Sequence, residues 1–156
     1  ARDDFTYLSN APGTIEVVMG DGRLNLSRDH EMEFDVLVVD AFTGDAIPSH
    51  LITAEAIDLY FERLSKDGVL GINVSNRHAA LRRVIFGHAQ RRAIFVSIVR
   101  HTSSSPLGPY TSEWAIIARR SEVLEKMGMV VQRGDGDFSV DWTDDYSPLL
   151  PILKAF

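Results

Sequence analysis

The chain has 156 residues, no cysteine and a formal net charge of −6 at pH 7. The lack of cysteine excludes disulfides, thiolate zinc sites and cysteine nucleophiles, and the acidic balance argues against nucleic acid as a partner. With 45% hydrophobic and 24% charged residues, the composition is typical of a soluble globular protein, and we expect a single domain over residues 1–156. No apolar run is long enough for a membrane span and no signal peptide opens the chain, so we expect a cytoplasmic location.

Strand and helix patterns alternate along the first half of the chain. Strands are predicted at residues 15–19 and at Phe34–Val39, with a short helix, Gly22–Arg28, between them. The apolar run in Phe34–Val39 indicates a strand buried on both faces. Thr53 is the predicted N-cap of a helix that extends to about residue 65 and ends at residues 66–68, before a third buried strand at residues 69–74.

In the second half, residues 78–92 have the spacing of an amphipathic helix. Strands are predicted at residues 94–99 and 114–118, on either side of a polar loop at 102–110, and the lack of a helix between them favours an antiparallel pair. A short helix at 121–128 and an irregular tail follow. The predicted fold class is therefore α/β, a mostly parallel sheet with antiparallel edge strands.

Several common site motifs are absent from the sequence. It contains no Gly-x-Gly-x-x-Gly turn, no phosphate loop and no Gly-x-Ser-x-Gly elbow. The five histidines show no paired ligand spacing, so no metal site is expected. His88 is predicted to be a core residue of the 78–92 helix rather than a ligand, and the other histidines to lie on the surface or in loops.

Polar side chains remain at the predicted strand ends. Asp21 follows the first strand and Asp40 follows the second, and Asn73 lies near the end of the third. Because ligands of α/β sheets collect at the carboxyl ends of parallel strands, the two aspartates predict a site, in which carboxylates can hold a cationic amine or take a proton as a general base. The alternative is that both aspartates merely cap turns or helices.

The order of four motifs resembles the spermidine synthases, aminopropyltransferases built on the class I S-adenosylmethionine methyltransferase fold. The motifs are Val17-Val18-Met19-Gly20-Asp21-Gly22, Phe34-Asp35-Val36 through Asp40, Gly68-Val69-Leu70, and Pro109-Tyr110-Thr111-Ser112. The segment Trp142-Thr143-Asp144-Asp145-Tyr146 is similar to a bacterial spermidine-synthase-like branch, some of whose members are fused to membrane segments.

The resemblance implies roles for individual residues. Asp40 is the implied catalytic base, and Asp21 with Gly22 is implied to contact the nucleoside of decarboxylated S-adenosylmethionine, a co-substrate rather than a tightly bound cofactor. Tyr110 is implied to line the diamine pocket, and Asp45 is the nearest match to the family's second loop aspartate, since Thr43 stands where that aspartate is usual. The implied partners are a small diamine and the nucleoside donor.

Three functional interpretations follow from these residues. The first is an aminopropyltransferase that makes spermidine and methylthioadenosine from a diamine such as putrescine. The second is an S-adenosylmethionine-dependent methyltransferase of the same fold, and the third is a non-catalytic module. Because the family's glycine-rich loop and its ribose-binding acid are not in the sequence, we expect the chain to be the carboxyl-terminal part of a catalytic domain. We expect that part to be inactive alone and to form homo-oligomers through a bare sheet edge.

Overall fold

A computed structural model describes residues 6, 10–28, 30–42, 47–105, 108–132 and 140–154. These ranges contain, in chain order, α1 (Gly22–Arg28), β1 (Phe34–Val39), α2 (Ala54–Arg63), β2 (Leu64–Asn73), α3 (Arg82–Arg92), β3 (Phe95–Ser105), β4 (Gly108–Ala118) and α4 (Ser121–Lys126). Single turns of 3-10 helix lie at Ser49–Leu51 and Leu150–Ile152. No helix in these ranges is both long enough and apolar enough to cross a membrane.

The four strands form one mixed sheet in the order β1-β2-β4-β3. β1 is parallel to β2, whereas β4 is antiparallel to both β2 and β3. The α/β fold class and the antiparallel strand pair are therefore confirmed, with a larger antiparallel share than expected. The parallel pair brings the carboxyl ends of β1 and β2 to the same end of the sheet, next to Asp40.

Helix α2 begins as predicted but ends earlier. The Thr53 hydroxyl accepts a hydrogen bond from the Ala56 amide at 3.4 Å, and the helix buries Ile57, Tyr60 and Phe61. It ends at Arg63, and residues 66–68, predicted to close it, lie inside β2. A Cβ placed on Gly68 would lie 2.9 Å from the Phe34 carbonyl oxygen, so glycine allows β1 to pass close to this irregular stretch.

The β3–β4 hairpin is longer than the sequence pattern indicated. Residues 102–110 were predicted to form a loop, yet most of them belong to the two paired strands. Thr102 lies opposite Thr111 with their hydroxyl oxygens 3.2 Å apart. Cross-strand pairs of this kind stabilise exposed polar stretches of a sheet, which an apolar pattern does not reveal.

Two predictions about the first two strands are wrong. Residues 15–19 are not in a strand in the structure, and Val18 and Met19 are 62% and 85% exposed. β1 is a strand, but it lies at the edge of the sheet formed by the described residues, and Val36 and Val38 are 63% and 58% exposed rather than buried on both faces. β2 is the strand that matches the fully buried pattern, since Leu70 and Ile72 are both inaccessible to solvent.

The described part of the tail, residues 140–154, packs against the starts of α2 and α3. Trp142 is buried, and its carbonyl accepts a hydrogen bond of 2.7 Å from the Ala54 amide. Ile152 is buried as well, and its carbonyl accepts one of 2.7 Å from the Ala80 amide. Apart from the Leu150–Ile152 turn and one residue in an isolated bridge, this segment contains no helix or strand.

Candidate functional site

An open cleft of about 830 Å³ runs along β1, between that strand, the start of α1 and the 3-10 turn before α2. Asp21 and Gly22 line one part of it and Asp40 lines another. A cleft of this volume is in the range of small-molecule sites. The structure thus brings two of the predicted carboxylates, Asp21 and Asp40, into one concave surface.

The two carboxylate oxygens of Asp21 have different partners. Its Oδ1 accepts a 2.9 Å hydrogen bond from the Leu24 amide, which caps helix α1, and its Oδ2 lies 3.2 Å from Nε2 of His50. The Leu24 amide, with a smaller contribution from His50, holds the pKa of the Asp21 carboxyl below its usual range. The capping alternative is therefore correct for Asp21, and one carboxylate oxygen still faces the cleft wall that His50 forms.

Among the described residues, the Asp40 side chain is hydrogen-bonded to a strand end and not to a helix amide. Its Oδ1 accepts a 2.9 Å hydrogen bond from Nδ2 of Asn73, at the end of β2. Asn73 is 8% exposed, and its Oδ1 accepts a hydrogen bond from the Ser75 hydroxyl at 2.6 Å and one from the Ser75 amide at 3.1 Å. Ser75 is joined to β4 in turn, because its Oγ accepts a 2.9 Å hydrogen bond from the Glu113 amide. Three successive polar groups therefore fix the position of the Asp40 carboxylate.

Sequence reasoning missed two side chains of the cleft. His50 was assigned to a loop, and Arg23 was assigned no role. Arg23 donates to the His50 carbonyl at 2.7 Å and makes a two-pronged ion pair with Asp144, at 2.7 and 2.8 Å. Only their positions in the sequence could have indicated these two residues. Arg23 directly follows Asp21-Gly22, and His50 lies in the connection between Asp40 and helix α2.

Tyr60 also lines the cleft, but as a structural group. Its hydroxyl donates a 3.1 Å hydrogen bond to the Leu51 carbonyl, and burial raises the pKa of Tyr60 to about 12. A phenol with that pKa stays protonated near neutral pH. Tyr60 therefore holds the 3-10 turn to α2 rather than exchanging protons with a ligand.

Two predicted substrate-binding residues cannot be assigned to the cleft. Asp45 lies outside the described residues. Tyr110 belongs to β4 and pairs with Ser103, but the position of its side chain is also outside what the structure describes. Among the described residues, no three histidine, aspartate or glutamate side chains form a group that could hold a metal ion.

Comparisons with known proteins find similarity among solved structures. No protein-family model and no curated protein matches the chain. Among solved structures, the chain is similar to MNMC2 from Aquifex aeolicus, with 16% sequence identity and a TM-score of 0.43. That match covers 78% of this chain and 39% of the other, so this chain spans well under half the length of that protein. A structural similarity with this identity and this TM-score assigns this chain neither to a family nor to an activity.

Proposed function

We propose that this chain is part of a transferase that alkylates an amine acceptor with an S-adenosyl-type sulfonium donor, and that the group transferred is aminopropyl. The observation that carries the proposal is the shared cleft of Asp21 and Asp40, two carboxylates held by different elements. The motif resemblance to spermidine synthases supports the choice of donor and acceptor. Because β1, whose outer edge no described strand covers, forms much of the cleft wall, we also propose that further chain completes the site.

Asp40 is the proposed general base. A diamine is protonated near neutral pH, so the attacking nitrogen must lose a proton before it has a lone pair to donate. A carboxylate held by Asn73 and placed in the cleft can accept that proton and can attract the cationic amine beforehand. Because Ser75 donates to Oδ1 of Asn73, the side-chain amide is oriented with its Nδ2 toward Asp40, to which it donates.

The proposed chemistry is an in-line displacement. The neutral amine nitrogen attacks the methylene carbon next to the sulfonium sulfur, and a C–N bond forms as the C–S bond breaks. The electron pair of the broken bond goes to sulfur, which leaves as the neutral thioether methylthioadenosine. The new nitrogen stays a secondary ammonium, and Asp40 releases to solvent the proton that it took from the amine before the attack. Asp21 and Gly22, at the other part of the cleft, are proposed to contact the nucleoside of the donor.

The test is to identify the product made by the full-length protein that contains this chain. Purified protein is incubated with putrescine and either decarboxylated S-adenosylmethionine or S-adenosylmethionine, and the products are analysed by mass spectrometry. We expect spermidine and methylthioadenosine with the first donor only. A methylated amine with the second donor would replace aminopropyl transfer by methyl transfer, and no product with either would overturn the transferase proposal.

A further inference from the structure

An ion pair connects the segment that contains Asp144 to the start of helix α1. The Arg23 guanidinium binds both oxygens of the Asp144 carboxylate, at 2.7 and 2.8 Å. The two residues are 121 positions apart in the chain. A guanidinium that meets a carboxylate through two parallel hydrogen bonds is fixed in direction as well as in distance.

Asp144 is itself held from the side of α2. The Thr53 hydroxyl donates to its Oδ1 at 2.7 Å, and the Asp144 amide donates to Oε2 of Glu55 at 3.0 Å. Buried Trp142, two residues earlier, anchors the segment to the Ala54 amide. The hydrogen bond from Arg23 and that from Thr53 lower the pKa of the Asp144 carboxyl, so it is ionised near neutral pH.

Arg23 connects Asp144 to the wall of the cleft through His50. The Arg23 group that binds Asp144 also donates to the His50 carbonyl at 2.7 Å, and the His50 ring lies 3.2 Å from Asp21. Arg23 is only 17% exposed at its side chain, and its position directly follows the Asp21-Gly22 turn. Without Asp144, the guanidinium would keep the His50 carbonyl and a long contact to Thr53, but no charged partner among these contacts.

We propose that Asp144 is a positioning residue for the Asp21–His50 wall of the cleft. Asp144 binds Arg23, and Arg23 connects the start of α1 to the 3-10 turn at Ser49–Leu51. The position of Asp21 therefore depends on Asp144. Its effect on the donor rests on the proposed function. Its effect on the geometry of the Asp21 turn does not.

The chain contains a matched control for this residue. Asp145 is exposed and makes no hydrogen bond or ion pair with the part of the chain that the structure describes. Asp144→Asn and Asp145→Asn therefore remove the same charge from neighbouring positions. In the 156-residue chain, amide hydrogen exchange is measured at Leu24 and Asn25, whose amides bind the Asp21 side chain and carbonyl, and at Ile72 in the core.

We expect Asp144→Asn to speed exchange at Leu24 and Asn25 about fivefold, the effect of a partly exposed ion pair, and to leave Ile72 unchanged. Asp145→Asn should change none of the three rates, and Asp144→Glu, which keeps a carboxylate, should restore part of the protection. Equal rates in Asp144→Asn and the unmodified chain would overturn the proposal. An equal acceleration at Ile72 would also overturn it, because it would show a general loss of stability.

A second measurement concerns the donor. In the full-length protein that contains this chain, Asp144→Asn should raise the KM for decarboxylated S-adenosylmethionine several-fold while kcat changes little, and Asp145→Asn should change neither. An unchanged KM together with faster exchange at Leu24 would contradict the role in donor placement and keep the positioning of the turn. If the unmodified protein has no transferase activity, the proposed function fails, and the exchange rates alone decide the role of Asp144.

Discussion

Asn73 is the residue on which the position of the Asp40 carboxylate depends most directly. It is buried, and it links Asp40 to Ser75 and through Ser75 to β4. A hydrogen bond to a charged group contributes roughly 1.5–3 kcal/mol, so its loss should have a measurable effect on catalysis.

We therefore expect Asn73→Ala to lower kcat by about tenfold in the full-length protein, with a smaller change in the KM for the donor. Asn73→Gln, which keeps the amide, should lose less. Ser65→Ala is the control, because Ser65 donates in the same way to Asp35 at 2.9 Å but lies away from the cleft. If Asn73→Ala and Ser65→Ala turn over equally, Asn73 does not support the base.

We expect the buried His88 side chain to make the stability of the chain depend on pH. It is 1% exposed, Nε2 donates to the Ile52 carbonyl at 2.9 Å, and Nδ1 lies 3.4 Å from Asp141 with no hydrogen bond. Burial lowers the pKa of His88 below its usual value of 6.5. Below that pH the unfolded chain binds a proton that the folded chain does not, so stability falls as pH falls.

The free energy of unfolding in urea should accordingly decrease from pH 7 to pH 5. This window lies above the range in which Asp58 and Asp144 contribute, since their pKa values are lowered from 3.8. His88→Gln should flatten the slope, and His101→Gln, at an exposed position, should preserve it. A slope that is the same in His88→Gln and in the unmodified chain would rule out His88 as its source.

At the scale of elements, β1 is an edge strand with exposed apolar side chains. Among the described residues it has a hydrogen-bonded partner on one side only, and Val36 and Val38 expose more than half of their surface. An apolar edge strand of this kind is a template for pairing with another chain. Homo-oligomerisation remains a prediction, and this edge is where we expect it.

We expect the isolated 156-residue chain to self-associate, measured as mass by light scattering over a range of concentrations. Val36→Lys should reduce the association, because a charge on an edge strand opposes pairing. Val130→Lys is the matched control, since Val130 is 74% exposed but lies outside the sheet. A strictly monomeric chain, or equal association in both lysine variants, would show that β1 is not the contact.

Across the whole molecule, the elements that local signals define were predictable from sequence. Gly22–Arg28 and Phe34–Val39 have the predicted bounds, since an aspartate cap begins the first and an apolar run makes the second. The same signals could not predict that residues 15–19 do not form a strand. A strand forms only where a second strand pairs with it, and a local apolar pattern does not show whether that second strand is there.

The candidate site was predictable in part. Asp21 and Asp40 were found because they follow predicted strands, and they do line one cleft. The pairing of Arg23 with Asp144 could not be found, because two charged residues 121 positions apart carry no pattern that links them. Long-range ion pairs of this kind depend on the packing of the tail, which only the folded chain shows.

The central claim is that Asp40 is the base of a transfer reaction in this cleft, and turnover of Asp40→Asn tests it most directly. The change removes one charge and the proton acceptor with little change in shape, in the full-length protein that contains this chain. Asp35→Asn, in the strand that ends just before Asp40 but not lining the cleft, is the control. We predict a loss of about 10²–10⁴ in kcat for Asp40→Asn and little change for Asp35→Asn. Turnover of Asp40→Asn within a factor of about three of the unmodified protein would contradict the claim, because removal of a general base costs far more than that.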